Sequence, residues 1–237
     1  MVRSGVTSRV AAIVWAAAIA FGALLAAAPA RAASISVSPI RIDVLAPGNS
    51  GTVTLKNDSQ QPVNVQIRIF AWSLNNGGDF YAASDDVVAT PPVAAIAPGG
   101  AATVRIIRTS GAPVAREESY RLVVDEIPDA NRQRNFGVAV ALRYTLPVFF
   151  LDPSASQPKL TWSIRSEGGR RLLTAVNAGD KHIRVSALKL GGTVLERGLA
   201  GYVLGHSTRT WALPARASGN RVTAESDAGP VNAPLSR

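Results

Sequence analysis

Cysteine is absent from the 237 residues, and histidine occurs only as His182 and His206. The first absence excludes disulfides, thiol catalysis and Cys-ligated metal sites, so the core alone must hold the fold. The second leaves little material for imidazole chemistry. No Ser/His/Asp arrangement, no paired carboxylates at a recognisable cleft motif and no phosphate-cradling Gly-rich loop ahead of a helix is found. An enzyme is therefore not expected, and neither catalytic residue, metal nor cofactor is assigned. Aromatic residues make up only 6% of the chain, and Trp72, Trp162 and Trp211 are widely scattered, unlike a sugar-binding platform. Acids are in deficit, 16 against 25 Lys and Arg. Such a surplus suits solubility, anionic surfaces or acidic partners. The basic residues are neither clustered nor interleaved with aromatics, so no nucleic-acid partner is expected.

Long apolar runs are missing after the first 30 residues. Arg3 and Arg9 form a basic start, Val10 to Ala28 is apolar, and Ala30-Arg31-Ala32 fits a small-x-small cleavage site. This is the pattern of a secretory signal peptide over residues 1–32. An uncleaved anchor is the alternative, since the run approaches spanning length. Cleavage would remove three arginines and no acid, so the mature chain stays basic and has no stable membrane insertion.

What is present is a succession of short strands separated by Gly, Pro or Asn turns, with no convincing helical period. Ile35 to Leu45 alternates apolar and polar residues except at Pro39-Ile40, which predicts a strand kinked at an edge or a sheet switch. Gly51–Asn57, Val63–Trp72, Val87–Thr90, Thr103–Arg108 and Tyr120–Ile127 follow, broken at Pro47-Gly48, Asn75 to Gly78, Pro91-Pro92 and Pro98-Gly99. The pattern is that of an immunoglobulin-type β-sandwich. Asp152 to Pro158 resembles an interdomain linker. Shorter strands resume at Leu160 and end with a candidate strand at Asn220 to Glu225 and a polar tail. The fold class expected is all-β: residues 33–152 as one immunoglobulin-like sandwich and 153–237 as a smaller second one.

The stretch from Phe136 to Phe149 organises the rest. Read with a period of two, Val138, Val140, Leu142 and Tyr144 form one large apolar face, while Gly137, Ala139 and Ala141 keep the other small until Arg143. It fits either an inner sandwich strand or a strand offered to a partner. An apolar strand left at an edge is an aggregation hazard, so a chain that keeps one there needs something to cover it.

The motifs in order resemble the PapD-like periplasmic chaperones of the chaperone–usher pilus pathway. They are Ser38-Pro39-Ile40-Arg41, Ala89-Thr90-Pro91-Pro92, Ile96-Ala97-Pro98-Gly99, Thr103-Val104-Arg105, Tyr120-Arg121, Glu126-Ile127-Pro128, the stretch just described, and Asn177-Ala178-Gly179-Asp180 before Ile183-Arg184-Val185. The resemblance implies two sandwiches in a boomerang arrangement, periplasmic localisation, pilus or fimbrial subunits as partners, and an outer-membrane usher that receives them. It implies a donor strand, Val138 to Leu146, laid into the groove of an incomplete subunit, with Val138, Val140 and Leu142 in its pockets and Tyr144 as a candidate fourth. It also implies that Arg41 binds the subunit's C-terminal carboxylate, for which a guanidinium's paired donors are suited.

The sequence departs from the family in two places. Where well-known members carry a lysine late in the donor strand this chain has Pro147, so either Arg41 acts alone or another base such as Arg143 replaces it. An interdomain ion pair is also altered: its glutamate is Glu117 or Glu118, but the arginine position reads Leu151. The ending Thr145 to Phe149 resembles the archaic branch, and the short link after Pro128 resembles chaperones of rod-like fimbriae. The competing reading is a structural or carbohydrate-binding secreted β-sandwich.

Overall fold

Pro39 divides the N-terminal strand between two sheets. In the computed structural model, which describes residues 35–128 and 141–236, β1 (Ile35–Ser38) pairs antiparallel with β3 (Ser50–Asn57). After the proline, β2 (Ile42–Leu45) instead runs parallel to β10 (Arg143–Leu151). Proline has no N–H to continue a ladder, so the chain changes sheets where the alternation breaks.

The first sheet has the order β1-β3-β8-β6, with β6 at Val87–Thr90 and β8 at Ala101–Arg108. The second has the order β2-β10-β9-β4-β5, using β4 (Val63–Asn75), β5 (Gly78–Ala82) and β9 (Glu117–Ile127), with β7 (Val93–Ile96) also on β4. Alternate residues face inward as a period of two requires. Val53 and Leu55, Val65 and Ile67, Val104 and Ile106, Leu122 and Val124, and Val148 and Phe150 make one core.

Asn75 to Gly78 is more than the break expected. Asn76 and Gly77 have φ of 51° and 75°, the left-handed pair that a two-residue hairpin turn demands. They return the chain as β5, a strand that sequence reasoning missed because its exposed Phe80 and Tyr81 carry no inward apolar period.

Eight shorter strands follow. β11 (Leu160–Glu167), β12 (Arg170–Asn177) and β16 (Thr208–Ala212) form one sheet. Opposite lie β14 (Thr193–Val194), β13 (Ile183–Leu190), β17 (Arg221–Ser226) and β18 (Val231–Pro234), with β15 (Leu199–Val203) on β13. Trp162 and Trp211 stack at 5.6 Å within this second core. The polar tail expected after residue 225 is corrected here. It turns at Asp227 to Gly229 and returns as β18, packing Val231, Ala233 and Leu235 on the core. Those three alternate with polar or proline positions, a weak period hidden by the polar composition.

Each half closes around one buried asparagine. Asn57 Nδ2 donates to the carbonyls of Gln61, Ile96 and Ala97. Asn177 Nδ2 donates to those of Lys181, Val203 and Leu204. Strand ends leave carbonyls that need donors once buried, and a side-chain amide supplies them. The Asp152–Pro158 link is pinned: the N–H and Oγ of Ser156 both donate to Asp180 Oδ2, at 2.9 and 2.6 Å.

Candidate functional site

Along one edge β10 is fully paired with β9, from Arg143 to Leu151. Along the other, β2 covers only Val148 to Leu151. From Arg143 to Pro147 no strand among the described residues pairs with that outer edge. Which backbone groups face it follows from two bonds. The Leu142 carbonyl accepts from Glu126 N–H of β9, and the Leu151 carbonyl accepts from Ala46 N–H beside β2, both at 2.9 Å. Successive residues of an antiparallel strand turn their backbone groups to alternate edges. The odd-numbered residues therefore face outward: Arg143 and Thr145 present both N–H and C=O, and Pro147 only C=O.

The side chains divide by the same parity. Leu146, Val148 and Phe150 fill the first core. Tyr144, proposed from sequence as a candidate pocket-filling residue, is half-buried against that core and donates its hydroxyl to the Ile35 carbonyl of β1. Leu142 is half-buried, falls outside the core cluster and lines an open hollow with Gln66, Arg68, Asp125 and Ile127. Val138 and Val140 lie outside the described residues.

Arg41 sits on the step between β1 and β2, at the mouth of a cleft of about 280 Å³ lined also by Leu151, Gln157, Pro158, Lys181 and His182. Its side chain is 38% exposed, with Nε 2.8 Å from Asp43 Oδ2 and Nη1 2.9 Å from Asp227 Oδ2. Asp227 Oδ1 in turn accepts the Arg184 N–H at 2.9 Å.

The structure does not bring Arg143 to this cleft. Arg143 starts β10 and Leu151 ends it, a strand length of about 26 Å. Arg143 is bonded to Asp125, which also pairs with Arg68. Those bonds, Arg143's first, hold the Asp125 carboxyl below the ordinary carboxylate range. The cation that does share the cleft is Lys181, which sequence reasoning missed. Nothing local marks it; it follows the Asn177-Ala178-Gly179-Asp180 turn and reaches Arg41 only through the packing of one half on the other.

That packing resolves the altered ion pair. Glu118 stays within the first half, bonded through both oxygens to Arg108 Nε and Nη2 at 2.7 Å. Glu117, whose side chain is 1% exposed, accepts the His182 backbone N–H at 3.0 Å and lies 2.8 Å from its Nδ1. The His182 ring stacks on Phe149 at 3.6 Å and 9°. A histidine from the second half thus meets the glutamate, and Leu151 makes no ion pair. Nearby the Arg121 guanidinium lies 3.6 Å over Trp72, and burial lowers its pKa. Arg209 Nη1 reaches Asp79 at 2.9 Å, and Thr210 N–H donates to the Gly77 carbonyl at 3.0 Å. The β4–β5 hairpin tip is therefore seated on β16.

Among the described residues no group of three or more His, Asp or Glu is placed to hold a metal ion. Trp72, Trp162 and Trp211 are all buried, which leaves none of them as a sugar-stacking surface.

The family model described as "Pili and flagellar-assembly chaperone, PapD N-terminal domain" matches residues 34–156, just over half of the chain. An uncharacterised fimbrial chaperone of Escherichia coli (strain K12), YcbF, is 27% identical over 144 residues, which span 57% of this chain and 61% of that protein's length. Among solved structures, a chain of the CsuC–CsuE chaperone–tip adhesion subunit pre-assembly complex, from archaic chaperone-usher Csu pili of Acinetobacter baumannii, superposes with a TM-score of 0.73. It is 27% identical, over 86% of this chain and 98% of that one. The E. coli chaperone DraB shares the fold at 23% identity and a TM-score of 0.62, over 87% of this chain and 98% of its own. The all-β, two-sandwich chain belongs to the PapD family of pilus- and flagellum-assembly chaperones, which are not enzymes.

Proposed function

We propose that this protein captures pilus or fimbrial subunits in the periplasm by strand donation and delivers them to an outer-membrane usher. The observation that carries the reading is the outer edge of β10, which faces no strand from Arg143 to Pro147 among the described residues. An edge with free N–H and C=O groups is a template for a neighbouring strand. The donor segment runs from Val138 to Leu146, its main chain supplying affinity and its alternating side chains choosing the groove. Val138, Val140 and Leu142, at about 1.5–3 kcal/mol each on full burial, contribute a gross apolar term of about 5–9 kcal/mol, reduced by the cost of association and ordering. Tyr144 is already engaged with Ile35, so its part is to stiffen the base of the donor segment. Pro147 offers no N–H, and the added ladder ends there.

Arg41 fixes the register by holding the subunit's C-terminal carboxylate, since strand pairing alone specifies register poorly. Co-expression with a pilus subunit of the native host tests the whole reading. Arg41→Ala and, separately, Val140→Asp should remain soluble and lose the subunit on co-purification. Undiminished recovery with Val140→Asp would remove strand donation; with Arg41→Ala it would remove the anchor.

A further inference from the structure

Resting on the reading of Arg41 as a carboxylate anchor, we infer that Asp227 is a built-in occupant of that anchor, which an incoming carboxylate must displace. A guanidinium grips a carboxylate through two adjacent nitrogens, either Nε with Nη2 or Nη1 with Nη2. In this chain Nε is bonded to Asp43 and Nη1 to Asp227. Nε has a single N–H, committed to Asp43, while Nη1 gives one of its two to Asp227. A carboxylate gripping the remaining fork, Nη1 with Nη2, therefore shares Nη1 with Asp227 and meets its charge there.

The two acids are not equally able to yield. Asp43 stands on β2 two residues from Arg41 and moves with it. Asp227 comes from the turn between β17 and β18, in the other half of the molecule. It also has other contacts to fall back on: its Oδ1 holds the Arg184 N–H at 2.9 Å, and Oδ2 lies 3.9 Å from His182 Nε2. Released from Arg41, its charge stays solvated at 24% exposure beside those groups. Lys181 lines the same cleft and has no acid partner among the described residues, so an entering carboxylate gains a cation that Asp227 does not use. The exchange keeps Arg41 occupied in the free chaperone and makes the second half of the molecule respond to ligand entry.

The test uses the mature chain and side-chain NMR of the Arg41 Nε–Hε group. The probe is N-acetyl-trialanine with a free carboxylate, compared with its C-terminal amide. Asp227→Asn keeps an oxygen for the Arg184 N–H but removes the competing charge. It should bind the carboxylate peptide about five-fold more tightly than wild type, the size of one partly exposed ion pair. Glu225→Gln changes net charge equally without touching Arg41 and should not tighten binding. In the unmutated protein, saturation with the peptide should shift the Asp227 carboxyl carbon. Binding by Asp227→Asn that is unchanged or weaker, an equal gain from Glu225→Gln, or a still Asp227 carbon would overturn the inference while leaving the anchor intact. Equal binding of acid and amide by wild type, or binding unaffected by Arg41→Ala, would instead remove the anchor and this inference with it.

Discussion

Single residues here succeed or fail by whether their polar atoms are matched. Asn57 is fully buried and its amide donates toward three carbonyls, so Asn57→Ala strips that donor from the Ile96 carbonyl, while those of Gln61 and Ala97 keep Ser59 Oγ and Gly100 N–H. A loss of roughly 2–3 kcal/mol is expected, read from urea unfolding with the slope unchanged. Arg41 is the opposite case. Its two ion pairs are over a third exposed on the arginine side, and such pairs are worth about 1 kcal/mol or less. Arg41→Ala should therefore unfold within about 1 kcal/mol of wild type, so loss of subunit capture by that variant reports on binding and not on folding. The sequence singled out Arg41 through its motif; Asp43 stands two residues away, but Asp227 comes from a position that only folding brings near.

At the scale of the element, β10 shows how parity separates folding from function. Even-numbered backbone groups bond to β9 and odd-numbered ones face outward. Thr145→Pro removes an N–H from the free edge and leaves the β9 ladder whole, so stability should change little while subunit binding falls at least ten-fold. Tyr144→Pro removes an N–H from the internal ladder, together with the Tyr144 ring, and should be clearly destabilising. Thermal melts paired with subunit pull-downs separate the two, and equal damage from both would sink the parity assignment. The part of the strand from Arg143 to Phe149 was legible in the sequence as the end of a longer alternating stretch, whose Val138 and Val140 lie outside the described residues. Its period left open an inner strand or one offered to a partner; that no strand among the described residues pairs with its outer edge from Arg143 to Pro147 came only from the fold. β5 and β18 were missed for a related reason: both are edge strands with mixed faces, where the period that betrays a core strand is diluted.

The whole molecule depends on the joint between its halves. Gly77 has φ of 75°, and a Cβ there would lie 2.1 Å from Thr210 Oγ1. Gly77→Val should therefore unseat the hairpin from β16 without melting either core, seen as lost Thr210 amide protection in hydrogen exchange. Asp180 ties the link at Ser156 to His206 and approaches Arg116 of the first half at 3.6 Å. The His206 bond first, and then Ser156, depress its carboxyl well below the ordinary range. A carboxylate so depressed adds stability that is present above the unfolded value near pH 4 and is lost as pH falls through the folded one. The wild-type melting temperature should drop below about pH 4 more steeply than that of Asp180→Asn.

Sequence alone determined the class of fold, a break in the first strand at Pro39, the two sets of strands and the motif that carries Arg41, because these follow from local period, turn chemistry and residue type; that the break is a sheet switch came from the fold. The tertiary structure alone decided which glutamate crosses the joint, that His182 meets it, that Lys181 and not Arg143 shares the cleft with Arg41, and that Asp227 is bonded to Arg41. These pairings join residues far apart in the chain, and no local propensity encodes them. They exist only because the buried face of one sandwich fixes where the loops of the other must lie.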